Sequence, residues 1–210
     1  PNLEIIKMEK GEVALQRDFM GIIDSVNQIS IYLQCDFNDG FYNALRWFMP
    51  RYLLQQNSLM MHSSCLVGQD HHAHLFLGQS GVGKTTTVSR AADRLVLGDD
   101  MILISLENGK AYAETPVLGQ NPKFKGHAGT KYPIAGFYFL EQAREINKTP
   151  LTEIAALKHF LMSLMYPTWN FTTEMEANKL TELAQTFLSA TPSWKLQMNL
   201  DTPFLGVIDG

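Results

Sequence analysis

Nine consecutive residues, GQSGVGKTT (Gly78–Thr86), have the types and spacing needed to hold a polyphosphate. They fit G-x-x-x-x-G-K-[ST], with Gly78, Gly83, Lys84 and Thr85 at the defining positions. A polyphosphate is bound by a run of backbone N–H groups, so such a loop avoids bulky Cβ atoms. Gly78, Gly81 and Gly83 meet that need and tolerate positive φ. A helix then opens, with unpaired first amides and a positive dipole end facing the anion. Lys84 places a compact cation on the outer phosphates, and Thr85 offers a hydroxyl to Mg²⁺. Ser80, Val82 and Thr86 complete the candidate cradle.

A second group follows in RLVLGDDMILISL, where Asp99 and Asp100 stand between apolar runs. Adjacent carboxylates in apolar surroundings are costly unless paired, protonated or metal-bound. One short helix and a turn fill the gap from Lys84, which returns the acids to the side of the loop. Gly-Asp-Asp is also good turn composition, so a plain surface turn stays open. His62 lies within an apolar strand pattern, where a core histidine is the default. His71, His72 and His74 have no carboxylate or thiolate partner at ligand spacing and read as a solvated turn.

These residues need a scaffold. AHLFLG (73–78) reads as a buried strand and TTTVSRAADR (85–94) as a helix, the strand–loop–helix setting that the motif requires. LMMHSSCLVG (59–68) reads as the preceding strand. Residues 1–34 are strand-like, with Gly11 and Gly21 as punctuation and Val26, Ile29, Ile31 and Leu33 mostly of one parity. Asp39 is placed to cap a helix carrying Phe41, Leu45 and Phe48 on one face, which Pro50 ends or kinks. Asn108-Gly109 suits a type I′ hairpin. Residues 115–133 are loop-like and locally basic through Lys123, Lys125, His127 and Lys131, a connector or a lid. Residues 134–141 read as a central strand. Thr149-Pro150 predicts a helix start, with Ile154, Leu157, Phe160, Leu161 and Leu164 on its apolar face. Thr173 with Glu176 predicts a capping box on the next helix. Residues 194–200 alternate as a strand, and FLGVI closes the chain.

The chain has 210 residues, 45% of them hydrophobic and 18% charged, in the range of an ordinary globular protein. Its net charge is −4 and no basic block is present, which argues against nucleic acid as the main partner. No apolar run reaches the roughly 18–20 residues of a membrane span, and the mixed, charged first residues are unlike a secretory signal. Cys35 and Cys65 form no C-x-x-C and fit reduced thiols in a cytoplasmic chain.

The order His62-Ser63-Ser64 in a strand, a hairpin, GQSGVGKTT, then GDD within about one helix resembles the HPr kinase/phosphorylase-like family. That family shares its nucleotide core with ATP-dependent phosphoenolpyruvate carboxykinase. The resemblance runs from about Leu59 to Leu106 and is not evident in the first 58 residues. It implies an α/β fold of mixed α+β character: a mixed β-sheet around the phosphate loop with flanking helices. The strand patterning of the first residues adds a small N-terminal β-rich lobe at 1–58 beside a nucleotide-binding domain at 59–210, or the two make one compact domain. The resemblance also implies ATP- and Mg²⁺-dependent transfer of a phosphoryl group to a serine-type hydroxyl of a protein or small molecule. Carried over by position, Lys84 and Thr85 would hold phosphates and Mg²⁺. Asp99 would be the general base, Asp100 a metal-shell carboxylate, and His62 a neighbour of Asp99 that tunes its proton affinity. The glycine-flanked arginine signature of the HPr kinases is not recognisable here, which keeps a non-catalytic ATP-binding regulatory or assembly module as the alternative. The chain is short for the carboxykinase's oxaloacetate site. The family's members are oligomers, which leaves a homo-oligomer open.

Overall fold

The computed structural model describes residues 3–24, 28–34, 39–91, 93–116, 129–165, 173–199 and 203–209. Val26, Cys35, Lys123, Lys125 and His127 lie outside the described residues.

Four strands come first: β1 (Glu4–Met8), β2 (Gly11–Gln16), β3 (Phe19–Asp24) and β4 (Ile29–Leu33), paired antiparallel in that order. Gly21 does not punctuate. It lies inside β3, paired with Ala14 and Ile31, and a Cβ there would fall 2.0 Å from the Trp47 ring. The residue is glycine because an indole packs against its backbone. That packing also sets the face of α1 (Gly40–Gln55), which buries Ala44, Trp47, Pro50, Leu53 and Leu54 and leaves Phe41 exposed, correcting the expected stripe. The helix continues through Pro50, and Asp39 at its N-cap makes no side-chain cap bond. Beneath Trp47, the buried Glu12 carboxylate accepts from the indole N–H at 3.2 Å and pairs with Lys7 and Arg51. Burial pushes the Glu12 carboxyl up, but these donors outweigh it and hold it below the usual range.

The second sheet has the order β11-β12-β10-β6-β5-β8-β9. Its strands are β5 (Ser58–Val67), β6 (Ala73–Leu77), β8 (Met101–Glu107), β9 (Lys110–Glu114), β10 (Lys131–Gln142), β11 (Asn147–Pro150) and β12 (Ser193–Met198), and β7 (Leu95–Gly98) pairs with β5 beside β8. β10 runs parallel to β6 and β12, and the remaining pairings are antiparallel, so the sheet is mixed as expected. β9 also pairs with Lys131–Pro133 of β10, residues expected in a loop. The pairings β5–β8–β9–β10–β6 therefore return to β5 and close a five-strand circuit.

Helices cover both faces. α3 (Glu153–Met162) and α4 (Glu174–Ala190) lay Phe160, Leu180, Leu183, Ala184 and Phe187 onto the core that holds Met61, Cys65, Leu75 and Ile102. The opposite core collects Leu66, Phe76, Tyr138 and Leu196 with Val88 of α2 (Lys84–Ser89) and Ile208 of α5 (Leu205–Ile208). Each fully buried aromatic among these contributes about 1.5–3 kcal/mol.

Three boundaries differ from the sequence reading. α2 stops at Ser89, not Arg94, since the chain must turn back to begin β7 at Leu95. Thr149-Pro150 starts no helix. It belongs to β11, an edge strand where proline is tolerated, and Thr152 caps α3 instead, accepting from the Ala155 amide. Ile154 is consequently turned to solvent. Residues 205–208 of FLGVI form the short helix α5. The Thr173–Glu176 capping box forms as read, and Asn108 and Gly109 both take positive φ, as a type I′ turn demands.

Candidate functional site

β6 ends at Leu77, and the glycine loop emerges there with Gly78, Gly81 and Gly83 at φ of 147°, 80° and 111°. A side chain would strain the loop at each of these positions. Around Gly81 there is open space, whereas a Cβ on Gly78 would meet Val82 at 3.0 Å. The Lys84 ammonium curls back and donates to the carbonyls of Gly78 and Gln79, at 2.9 and 3.3 Å. Burial depresses the Lys84 proton affinity, and the charge of Asp100 opposes that shift. Thr87 Oγ1 donates to the Gly83 carbonyl at 2.9 Å, stitching the helix start to the loop. Gln142, at the end of β10, donates to the Gly81 carbonyl at 3.4 Å.

The Gly98-Asp99-Asp100 turn joins β7 to β8 next to this loop. Thr85 Oγ1 donates to the backbone carbonyl of Asp99 at 3.4 Å. The Asp100 carbonyl accepts from the Ser63 amide at 3.1 Å, and its carboxylate lies 3.1 Å from His62 Nδ1. His62 therefore pairs with Asp100, the residue next to the Asp99 that the family resemblance gives it as a neighbour. Asp99 is half-buried and Asp100 exposed. Thr85, Lys84, Asp99, Asp100 and His62 thus share one region. Of the basic loop residues considered as a lid, Lys131 is occupied by an ion pair with Glu107.

Sequence reasoning gave Ser64 no role of its own and passed over Gln142. Ser64 is fully buried, and its hydroxyl donates to the Lys84 carbonyl at 2.9 Å. The available signal was a pair of hydroxyls in an otherwise apolar strand, MMHSSCLV. Gln142 carried no comparable signal, since a polar residue ending a strand is ordinary.

The histidine turn at the other end of β6 has a carboxylate partner after all. Asp70 accepts from the His72 amide at 3.1 Å and lies 3.1 Å from His72 Nδ1. Burial raises the Asp70 carboxyl, but the His72 amide and the charges of His72 and His74 bring it below the usual range. His74 is not solvated. It is 2% exposed, with Nδ1 3.1 Å from the Tyr138 hydroxyl and the two rings 5.6 Å apart. Burial lowers its proton affinity, and it pushes the Tyr138 phenol up to about 12. Cys65, also buried, has its thiol pushed up by the same cause.

The family model of phosphoenolpyruvate carboxykinase matches residues 30–114. Those residues, which include the glycine loop and the acid turn, are thus similar to that family. The ATP-dependent enzyme of Christiangramia forsetii is 40% identical over 65 residues, and that of Flavobacterium johnsoniae 38% over 65. The matches cover 31% of this chain and only 12% and 11% of those relatives. The likeness reaches back to residue 30, upstream of where the sequence displays it. Among solved structures, the Hpr(Ser) kinase/phosphatase from Coxiella burnetii aligns with a TM-score of 0.38 and 11% identity, over 71% of this chain and 86% of that one.

A divalent cation fits the donor set. Asp100, the Thr85 hydroxyl and the half-buried Asp99 are hard oxygen donors, and a phosphate-bridged Mg²⁺ needs only one or two carboxylates from the protein. Among the described residues, no group of three or more His, Cys, Asp or Glu forms a metal cage. No helix among them is long and apolar enough to cross a membrane.

Proposed function

We propose that this chain binds ATP with Mg²⁺ in the Gly78–Thr86 loop and transfers the terminal phosphoryl group to a serine-type hydroxyl, in a protein or a small molecule. The carrying observation is the contact between the two halves of the site. The Thr85 hydroxyl bonds the Asp99 carbonyl, and Asp100 acts electrostatically on Lys84. In this reading Lys84 leaves the carbonyls of Gly78 and Gln79 for the phosphates. Thr85 and Asp100 hold the cation, and His62 orients Asp100. Mg²⁺, when bound, supplies charge neutralisation across the outer phosphates. Asp99 accepts the proton of the acceptor hydroxyl as that oxygen bonds to the γ-phosphorus and the bond to the ADP oxygen breaks. The relation to an ATP-using enzyme over residues 30–114 supports nucleotide binding. The division into residues 1–58 and 59–210 belongs to the same proposal, supported by the separate small core of Ala14, Phe19, Ala44 and Trp47.

The absent arginine signature favours a second reading, a nucleotide-binding regulatory or assembly module without transfer. Incubation with γ-labelled ATP, Mg²⁺ and acceptors that include free serine and serine peptides separates the two. Transfer that disappears in Asp99→Asn, with ATP affinity retained, supports the kinase. ATP binding with no transfer to any acceptor leaves the module.

A further inference from the structure

The second and third turns of most helices hold their first turn in place, but α2 has only six residues and cannot do so unaided. Its first peptide is anchored from outside, by Ser64 of β5. The hydroxyl of Ser64 donates to the Lys84 carbonyl at 2.9 Å, from a side chain with no solvent exposure. That carbonyl belongs to the same rigid plane as the Thr85 amide, and in a trans peptide the two point in opposite directions. Whatever fixes the carbonyl therefore fixes where the Thr85 N–H points. A hydrogen bond on the carbonyl also polarises that N–H and makes it a better donor.

We propose that Ser64 is a positioning residue for polyphosphate binding, acting through the Lys84–Thr85 peptide to aim and strengthen the Thr85 amide. This rests on the nucleotide reading given above. The neighbouring residues perform a matching task on the other half of the site. Ser63 holds the Asp100 carbonyl through its amide, and His62 holds the Asp100 carboxylate. Ser64 alone reaches the phosphate loop from this strand by a side-chain hydrogen bond among those described. Its chemical requirement is a short donor, because the side chain is wholly buried beside the start of α2.

The test measures ADP and pyrophosphate affinity by calorimetry in wild type, Ser64→Ala and Ser64→Cys, together with the melting temperature of each empty protein. Losing one net hydrogen bond to the loop predicts about fivefold weaker binding in Ser64→Ala. Ser64→Cys, of similar size and with a weak donor, should recover part of that loss. An anchor that serves the fold alone lowers the melting temperature and leaves both affinities within twofold, which overturns the proposal. Residue-resolved amide exchange on the wild type gives a reading that needs no variant. ADP should slow exchange at Thr85, and an unchanged Thr85 rate in the ADP complex also overturns it. If wild-type protein binds neither ADP nor pyrophosphate, the nucleotide reading itself fails and this inference falls with it.

Discussion

At one end of β6, Leu77 runs into three glycines whose backbone is held open. At the other end, Asp70, His72 and His74 crowd around Gly68. Both ends are rich in groups that do chemistry elsewhere. At the histidine end those groups are taken up within the fold: Asp70 pairs with His72, His74 Nδ1 meets the Tyr138 hydroxyl, and His74 Nε2 is buried without a partner and closed to solvent. At the glycine end the polar capacity belongs to the backbone, and the Lys84 ammonium is lodged on its own loop's carbonyls. The lesson is that residue type alone does not mark a site. What marks it is donor capacity that the fold leaves available to a ligand.

Three experiments sharpen or break that contrast. Lys84→Ala should have the largest effect, about a hundredfold loss of ATP affinity by calorimetry, since a charge-assisted bond to phosphate disappears. His72→Ala should leave that affinity unchanged, and equal losses from the two would erase the distinction. Next come the glycines. A Cβ on Gly68 would fall 2.7 Å from both Asp70 Oδ1 and His74 Nε2. Gly68→Ala should therefore cost about 1–3 kcal/mol in denaturant unfolding through crowding, with nucleotide affinity intact. The smallest effect is on pH dependence. Burial places the folded-state proton affinity of His74 below its ordinary value, with Asp70 and Asp209 opposing and His72 and Arg94 reinforcing. The unfolded chain thus binds more protons, and the stability due to neutral His74 is complete above about pH 6.5 and lost as pH falls below it. The slope from one such group is at most about 1.4 kcal/mol per pH unit. Unfolding free energies from pH 7 to 5 should show this decline in wild type and a flatter course in His74→Gln.

The glycine loop and its place after a buried strand were legible because the requirement is local: glycines, a lysine and a hydroxyl at set spacing. The acid turn was legible in position. Its pairing was not, since the contact of His62 with Asp100 depends on the register of β5 against β8. Gly21 misled for a similar reason. A glycine kept for a turn and one kept for an indole look alike until Trp47 is placed. Pro150 misled because proline suits both a first helical turn and a sheet edge. Hydrogen bonds from the Ser64 hydroxyl and the Gln142 amide to the loop join residues 20 and 61 positions apart, which no pattern in the chain records.

One strand carries the anchors for both halves of the site, and its alternation has a consequence. Met61, Cys65 and Val67 face the larger core, so His62 and Ser64 necessarily look the other way. Sliding β5 by a single residue would turn the histidine and the serine into hydrocarbon and lift the apolar side chains out of it. The distance between cation and acid is thereby written into the packing of the interior.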